Sequence, residues 1–317
     1  MKTLPLLLLA VTACFGEDKP ATESVLYPYG LSVGDKETPR KDDGASNRLT
    51  ISVPFTFFGK THNSLFVNNN GVISFGIAVS QYTPNAFPLS NGSPFVAPYW
   101  GDVNNERGGT VYYRESTDPK LLKRITDDLN KYFPNLHFKA TWAFVGTWDN
   151  VAYFGTRSKK TNTFQAVLAT DSKRSFIILN YGKITWTTGT ASGGNSLTGL
   201  GGIAAQAGFN SGDKTHYFNI PGSRTSDVIN IGKTTNVNTP GRWVFQVDQF
   251  KAPGGCVYEA NFVRYNETFW KDETCEKKCL CQTDGEVVCN EEICPGSQVC
   301  QPSAWHFTCQ INFGTCF

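Results

Sequence analysis

Cysteine is absent from Phe15 to Gly255 and then occurs nine times between Cys256 and Phe317. This distribution constrains the fold most, because it divides the chain by its means of stabilisation. The long cysteine-free segment must cohere through apolar burial. The last stretch, about 60 residues with few aliphatics, cannot build an adequate core and needs covalent constraint, worth about 2 to 4 kcal/mol per bridge. A chain of 317 residues also exceeds the usual single domain. The boundary falls at KAPGG, so residues 250–255 read as a linker and 256–317 as a disulfide-rich module.

The first residues set the compartment. Met1 and Lys2 precede the apolar LPLLLLAV and a run of small residues ending at Gly16. A basic start, an apolar core too short to span a bilayer and a small-residue exit predict a secretory signal peptide over 1–16. No later segment has the roughly 18 uninterrupted apolar residues of a membrane helix, so no membrane span is expected. Export to an oxidising compartment favours disulfides over zinc for the thiols, and the spacing lacks paired C-x-x-C knuckles. A net charge of only +2 gives no reason to expect nucleic acid as a partner.

The cysteine-free segment reads as strands. In LTISVPFTF, Leu49, Ile51, Val53, Phe55 and Phe57 alternate with polar residues and Pro54, the period of a half-buried strand, with the proline pointing to a sheet edge. LFVNNNGVISF places Asn70-Gly71 between two apolar runs and predicts a hairpin from Leu65 to Phe75. FQAVLATDSKRSFIILNYG predicts a second, turning at Asp171 to Arg174. In DPKLLKRITDDLNKYF, Asp118 can cap, Pro119 suits the first helical position, and Leu122, Ile125, Leu129 and Phe133 share a face. The expected fold is mainly β: a β-sandwich-like domain with one packed helix, followed by the small disulfide-rich module.

Ordered motifs add what periodicity cannot. YPYG, SLFVNNNGVISFG, VAPYWGDVNN, GGTVYYRE, FVGTWDNVAYF, NTFQAVLATD, FIILNYGKITW, AQAGFNSGD and PGRWVFQVD stand in the order seen in the nidogen-like domain. Residues 27–249 resemble that family. The cysteine segment, with Cys279-x-Cys281 followed by GEVVC, resembles a von Willebrand factor type C module or the related module of tectorins and zonadhesins. The combined arrangement is similar to tectorin-type proteins. The resemblance implies a secreted, non-enzymatic extracellular matrix glycoprotein in cell-matrix adhesion or matrix assembly, with tectorin-like chains or collagen as partners and no cofactor. Some type C modules bind growth factors, so a soluble sequestering protein is the alternative.

PYWGDVNNERGG, Pro98 to Gly109, is the segment that most invites a site. Asp102, Asn104 and Glu106 alternate as if to hold a cation or move protons. An EF-hand loop counted from Asp102 would need Gly and Glu where Arg107 and Tyr113 stand. Catalysis would need a nucleophile or base nearby, and none is evident. The segment reads as a turn between strands, with no metal expected and little effect of chelation on stability. The Gly199–Ala204 run has no room for the helix of a dinucleotide fingerprint. His62, His137, His216 and His306 are scattered, and Trp142, Trp148, Trp186 and Trp243 are expected in the core and not on a sugar-binding platform.

Two sequons, at Asn91 and Asn266, become usable acceptors after export, and Pro94 directly after the first disfavours it. Expected disulfide partners are Cys256, Cys275, Cys279, Cys281, Cys289, Cys294, Cys300 and Cys309, with connectivity left open. If cleavage falls after Gly16, Cys14 departs and nine cysteines remain, an odd number. In the tectorin arrangement GTC opens a further domain, and here the chain ends one residue after Cys316. This makes Cys316 the candidate for disulfide-linked self-association.

Overall fold

The computed structural model describes residues 24–89, 91–283, 285–303 and 306–311. The signal segment, Cys14 and Cys316 lie outside these described residues.

Up to Gln246 the strands are β1 (Lys36–Glu37), β2 (Leu49–Phe57), β3 (Lys60–Asn68), β4 (Val72–Ser74), β5 (Phe95–Trp100) and β6 (Thr110–Ser116), then β7 (Trp142–Val151), β8 (Asn162–Thr170), β9 (Ser175–Tyr181), β10 (Gln206–Asn210), β11 (Tyr217–Asn219) and β12 (Arg242–Gln246). Helix α1 (Pro119–Tyr132) joins β6 to β7. Two six-stranded antiparallel sheets result, ordered β1-β6-β7-β8-β9-β12 and β11-β10-β5-β4-β3-β2. The expected strands appear, and β2, with Pro54, lies at a sheet edge.

Side chains of alternate residues separate two cores. Phe164, Ala166 and Leu168 of β8, and Ile177 and Leu179 of β9, face the second sheet, where they meet Val67, Ile73, Tyr99 and Phe209. The intervening Val167, Ala169, Phe176 and Ile178 face α1. The first sheet is therefore covered on both sides, which is why β8 and β9 read as nearly continuous apolar runs. Each large side chain so buried contributes about 1.5–3 kcal/mol. Four of the sandwich's five tryptophans, at 142, 148, 186 and 243, are all at most 2% exposed and belong to this core.

Helix α1 starts where Asp118 accepts a hydrogen bond from the Leu121 backbone N–H, with Pro119 at the first turn. Leu121, Ile125 and Leu129 are its buried residues, while the expected Leu122 is only partly buried beside them. Below the helix runs a buried polar chain. Gln165 clamps Tyr27 by accepting from its N–H at 2.9 Å and donating to its carbonyl at 3.0 Å. Arg242 donates to Asn180 and to Asp128, and Tyr27 Oη donates to the same Asp128 carboxylate at 2.6 Å. The YPYG motif is thus the anchor of the N-terminal segment. A 3₁₀ helix over Ser226–Lys233, burying Val228 and Ile231, was not anticipated.

The C-terminal strands are β13 (Gly255–Tyr258), β14 (Asn261–Arg264), β15 (Thr268–Trp270), β16 (Lys277–Cys281), β17 (Val287–Glu291), β18 (Gln298–Ser303) and β19 (His306–Ile311). Four disulfides join Cys256 to Cys281, Cys275 to Cys300, Cys279 to Cys289 and Cys294 to Cys309. Residues 250–255, read as a linker, are held closely: Phe250 meets Phe209 and Phe218 edge-on and Phe245 at a tilt, Ala252 is buried, and Gln246 and Lys251 exchange backbone hydrogen bonds. Phe262 of β14 meets Trp243 edge-on, with ring centroids 5.7 Å apart.

No disulfide ties the sandwich among the described residues, so the two parts should respond differently to reduction. Thermal melts of the full chain with and without reductant should show order in 256–311 abolished by reductant. The main cooperative transition should remain, and its loss would contradict a sandwich held by apolar burial alone.

Candidate functional site

One loop end of the sandwich gathers a group of buried polar residues, Thr38, Ser46, Asp102, Asn104 and Asn105, around the Asn68-Asn69-Asn70 triplet. The triplet sits in the turn between β3 and β4, whose register pairs Asn68 with Val72. The turn closes through Gly71 at φ 84°, and a Cβ at Gly71 would collide with the Tyr99 carbonyl, so glycine is required twice over. Trp148 donates from its indole nitrogen to the Asn68 and Asn69 carbonyls at 3.2 and 3.1 Å, which fixes the turn against the core.

Each asparagine side chain then reaches a different loop. Asn68 donates to Val72 O and Ser74 Oγ and accepts from the Val79 N–H. Asn69 donates to Pro39 O and Lys41 O and accepts from Thr38 Oγ1. Asn70 donates to Asp43 Oδ1 at 2.7 Å and accepts from the Val103 N–H at 3.0 Å. In the linear sequence NNNG is a hairpin turn alone. The additional role is a scaffold joining the 38–46 loop, the segment after β4 and the loop after β5. The run of three amides before glycine was its only linear signal.

The loop after β5 is a turn, as its sequence suggests, but its polar residues part company. Asn104 Oδ1 accepts from the Glu106 and Arg107 N–H groups. Glu106 is exposed, whereas Asp102 is 2% exposed. The neighbours of Asp102 are Asp42 and Asp43: the three carboxylates offer oxygens within 4.8 Å of one another. A Cβ at Gly189 would collide with the Asp102 carboxylate, so the glycine lets the backbone close over it. Burial, followed by the Asp42 and Asp43 charges, pushes the Asp102 carboxyl up to about 7, opposed by one hydrogen bond from the Ala191 backbone. Burial and the charges of Asp43 and Glu106 raise Asp42 in the same direction.

Elsewhere, Cys275, Cys294 and Cys309 also cluster, but as disulfide sulfurs they are not thiolate ligands. His62, His216 and His306 lie against Phe75, Phe58 and Phe269 respectively, and His137 is exposed. Asn266 is exposed at φ 65° in the turn before β15. Asn91 is exposed as well, with Oδ1 accepting from the Ser93 N–H. No described helix is long and apolar enough to cross a membrane.

The nidogen-like domain matches residues 63–249 of this sequence. The chain belongs to the nidogen-like domain family. The matched residues include the Asn68–Asn70 triplet and strands β4 to β12, whereas β1, β2 and the 38–46 loop precede them. The chain is 47% identical to alpha-tectorin of Homo sapiens over 298 residues, covering 92% of this chain and 14% of that protein. It is 49% identical to alpha-tectorin of Gallus gallus over 288 residues, covering 90% and 13%. Nidogen-1 of Mus musculus is 31% identical over 240 residues, covering 70% and 19%. The chain thus spans about a seventh of the length of the alpha-tectorins it matches. No solved structure matches it.

The Asp102 environment has a pH consequence. Its folded-state value lies above the ordinary 3.8, so folding favours the protonated acid. That contribution is full below about pH 4 and is lost as pH rises through about 7. Asp102→Asn, neutral and of the same shape, should flatten this decline in chelator and raise the melting temperature at pH 7.5 by a few degrees, on the order of 2–4 °C per kcal/mol. Melts from pH 4 to 8 check this, and a variant less stable than wild type at pH 7.5 would contradict it.

Proposed function

We propose that this chain is a secreted, non-enzymatic extracellular matrix glycoprotein that acts in cell-matrix adhesion or matrix assembly. The observation that carries the reading is the alignment to alpha-tectorin over 92% of the chain, which leaves out too little to stop at the sandwich and runs well into the cysteine-rich segment. The two parts are matched together. Four disulfides in so small a module suit an oxidising, extracellular compartment.

In this reading the sandwich occupies 27–249 and the type C-like module 256–317, and both present surfaces to other matrix chains, of tectorin-like or collagen type. Eight module cysteines pair among themselves, so Cys316 is free or shares a bond outside that set, and a second copy of the chain would give covalent self-association. Asn266, exposed and with its backbone N–H bonded to the Cys281 carbonyl, is the main glycan acceptor, and Asn91 is the lesser one.

Affinity capture from matrix extract with the full secreted chain should recover collagen or tectorin-like chains. Recovery of a cystine-knot growth factor in their place would overturn matrix assembly in favour of sequestration. Asn266→Gln should remove the larger share of the glycosidase-sensitive mobility shift, and an unchanged shift would rule Asn266 out. On a non-reducing gel the wild-type chain should show dimers that Cys316→Ser lacks.

A further inference from the structure

We propose that Asp42, Asp43 and Asp102 form a calcium site that ties the 38–46 loop to the loop following β5. Their carboxylate oxygens lie within 4.8 Å of one another. One ion with oxygen ligands at about 2.3–2.6 Å on either side bridges that span.

Asp102 is what distinguishes this group from an ordinary acidic patch. The residue is 2% exposed, and its Oδ2 is buried with no hydrogen-bond partner. Asp42 Oδ1 is buried and unpartnered as well. A buried carboxylate oxygen without a donor is among the costliest groups a fold can hold, unless a cation meets it. Among the described residues no lysine, arginine or histidine forms an ion pair with any of the three acids. The nearby amides are committed elsewhere: Asn69 holds Pro39 O and Lys41 O, and Asn70 holds a single oxygen of Asp43. They place the turn that carries Asp42 and Asp43, and leave Asp102 Oδ2 without a partner and the Asp102 carboxylate without a paired cation among the described residues.

The donor set selects the ion. All three groups are carboxylates, with no imidazole or thiolate, which disfavours zinc. They offer up to six oxygens in an irregular arrangement across two loops, which suits calcium and not the near-ideal octahedron of magnesium. Because the ligands come from positions 42–43 and 102, no local loop pattern announces them.

The test uses the full secreted chain, stripped with chelator and titrated with calcium chloride alone, followed by thermal melting and equilibrium dialysis. One ion should bind per chain, with a rise in melting temperature of about 3 to 5 °C at tenfold excess over the Kd. Magnesium at equal concentration should give a much smaller shift. Asp102→Asn should abolish the calcium shift while melting no lower than wild type in chelator. Should that variant fail to fold, Asp43→Asn, at a half-buried position, should weaken calcium binding at least tenfold. Absence of calcium binding by the wild type, an equal shift with magnesium, or a shift retained in either variant would overturn the proposal.

Discussion

Strand β8 has no exposed residue from Asn162 to Thr170, and much of the sandwich follows from that two-sided burial. One face meets the second sheet and the other meets α1, so every apolar side chain on it stabilises the fold, and every polar one needs a partner. Gln165 is the clearest instance. In mid-strand its amide accepts from Tyr27 N–H and from Asn180, and donates to Tyr27 O and Thr147. The N-terminal segment is held because a buried glutamine requires it. The same chain extends through Asn180 to Arg242 and Asp128, so helix, sheet and N-terminal segment share one polar network.

At the loop end, asparagines do comparable work without charge. The Asn68–Asn70 triplet replaces regular pairing where three loops converge, and Trp148 holds its carbonyls from below. Neutral amides can satisfy backbone groups there but cannot neutralise acids. Asp102, covered by Gly189 and facing Asp42 and Asp43, therefore sits among like charges, with no cation paired to it among the described residues. Burial that stabilises the fold elsewhere here destabilises the ionised form of one carboxyl.

The C-terminal module rests on a different principle. Its small cluster centres on Cys256, Cys279, Cys281, Val263 and Phe269, too little apolar surface for independent stability without crosslinks. It is nevertheless continuous with the sandwich, since Phe250 and Ala252 join the large core and Phe262 meets Trp243. The Pro/Gly composition of KAPGG describes its backbone, while Phe250 and Ala252 decide how it is anchored.

By itself, the sequence determined the strand-rich class, the capped helix at Asp118 and Pro119, the edge character of the Pro54 strand and the disulfide-rich character of the C-terminal end. These depend on local period, capping chemistry and composition, which neighbours in the chain suffice to express. Only the tertiary structure decided which residue of the first helical turn is buried, Leu121 in place of Leu122, because the crossing of α1 over the sheet sets that choice. It also separated Asp102 from Glu106 and placed it beside Asp42 and Asp43. Charge and solvation act through space, and residues on two loops can share one buried volume with no periodicity between them in the chain.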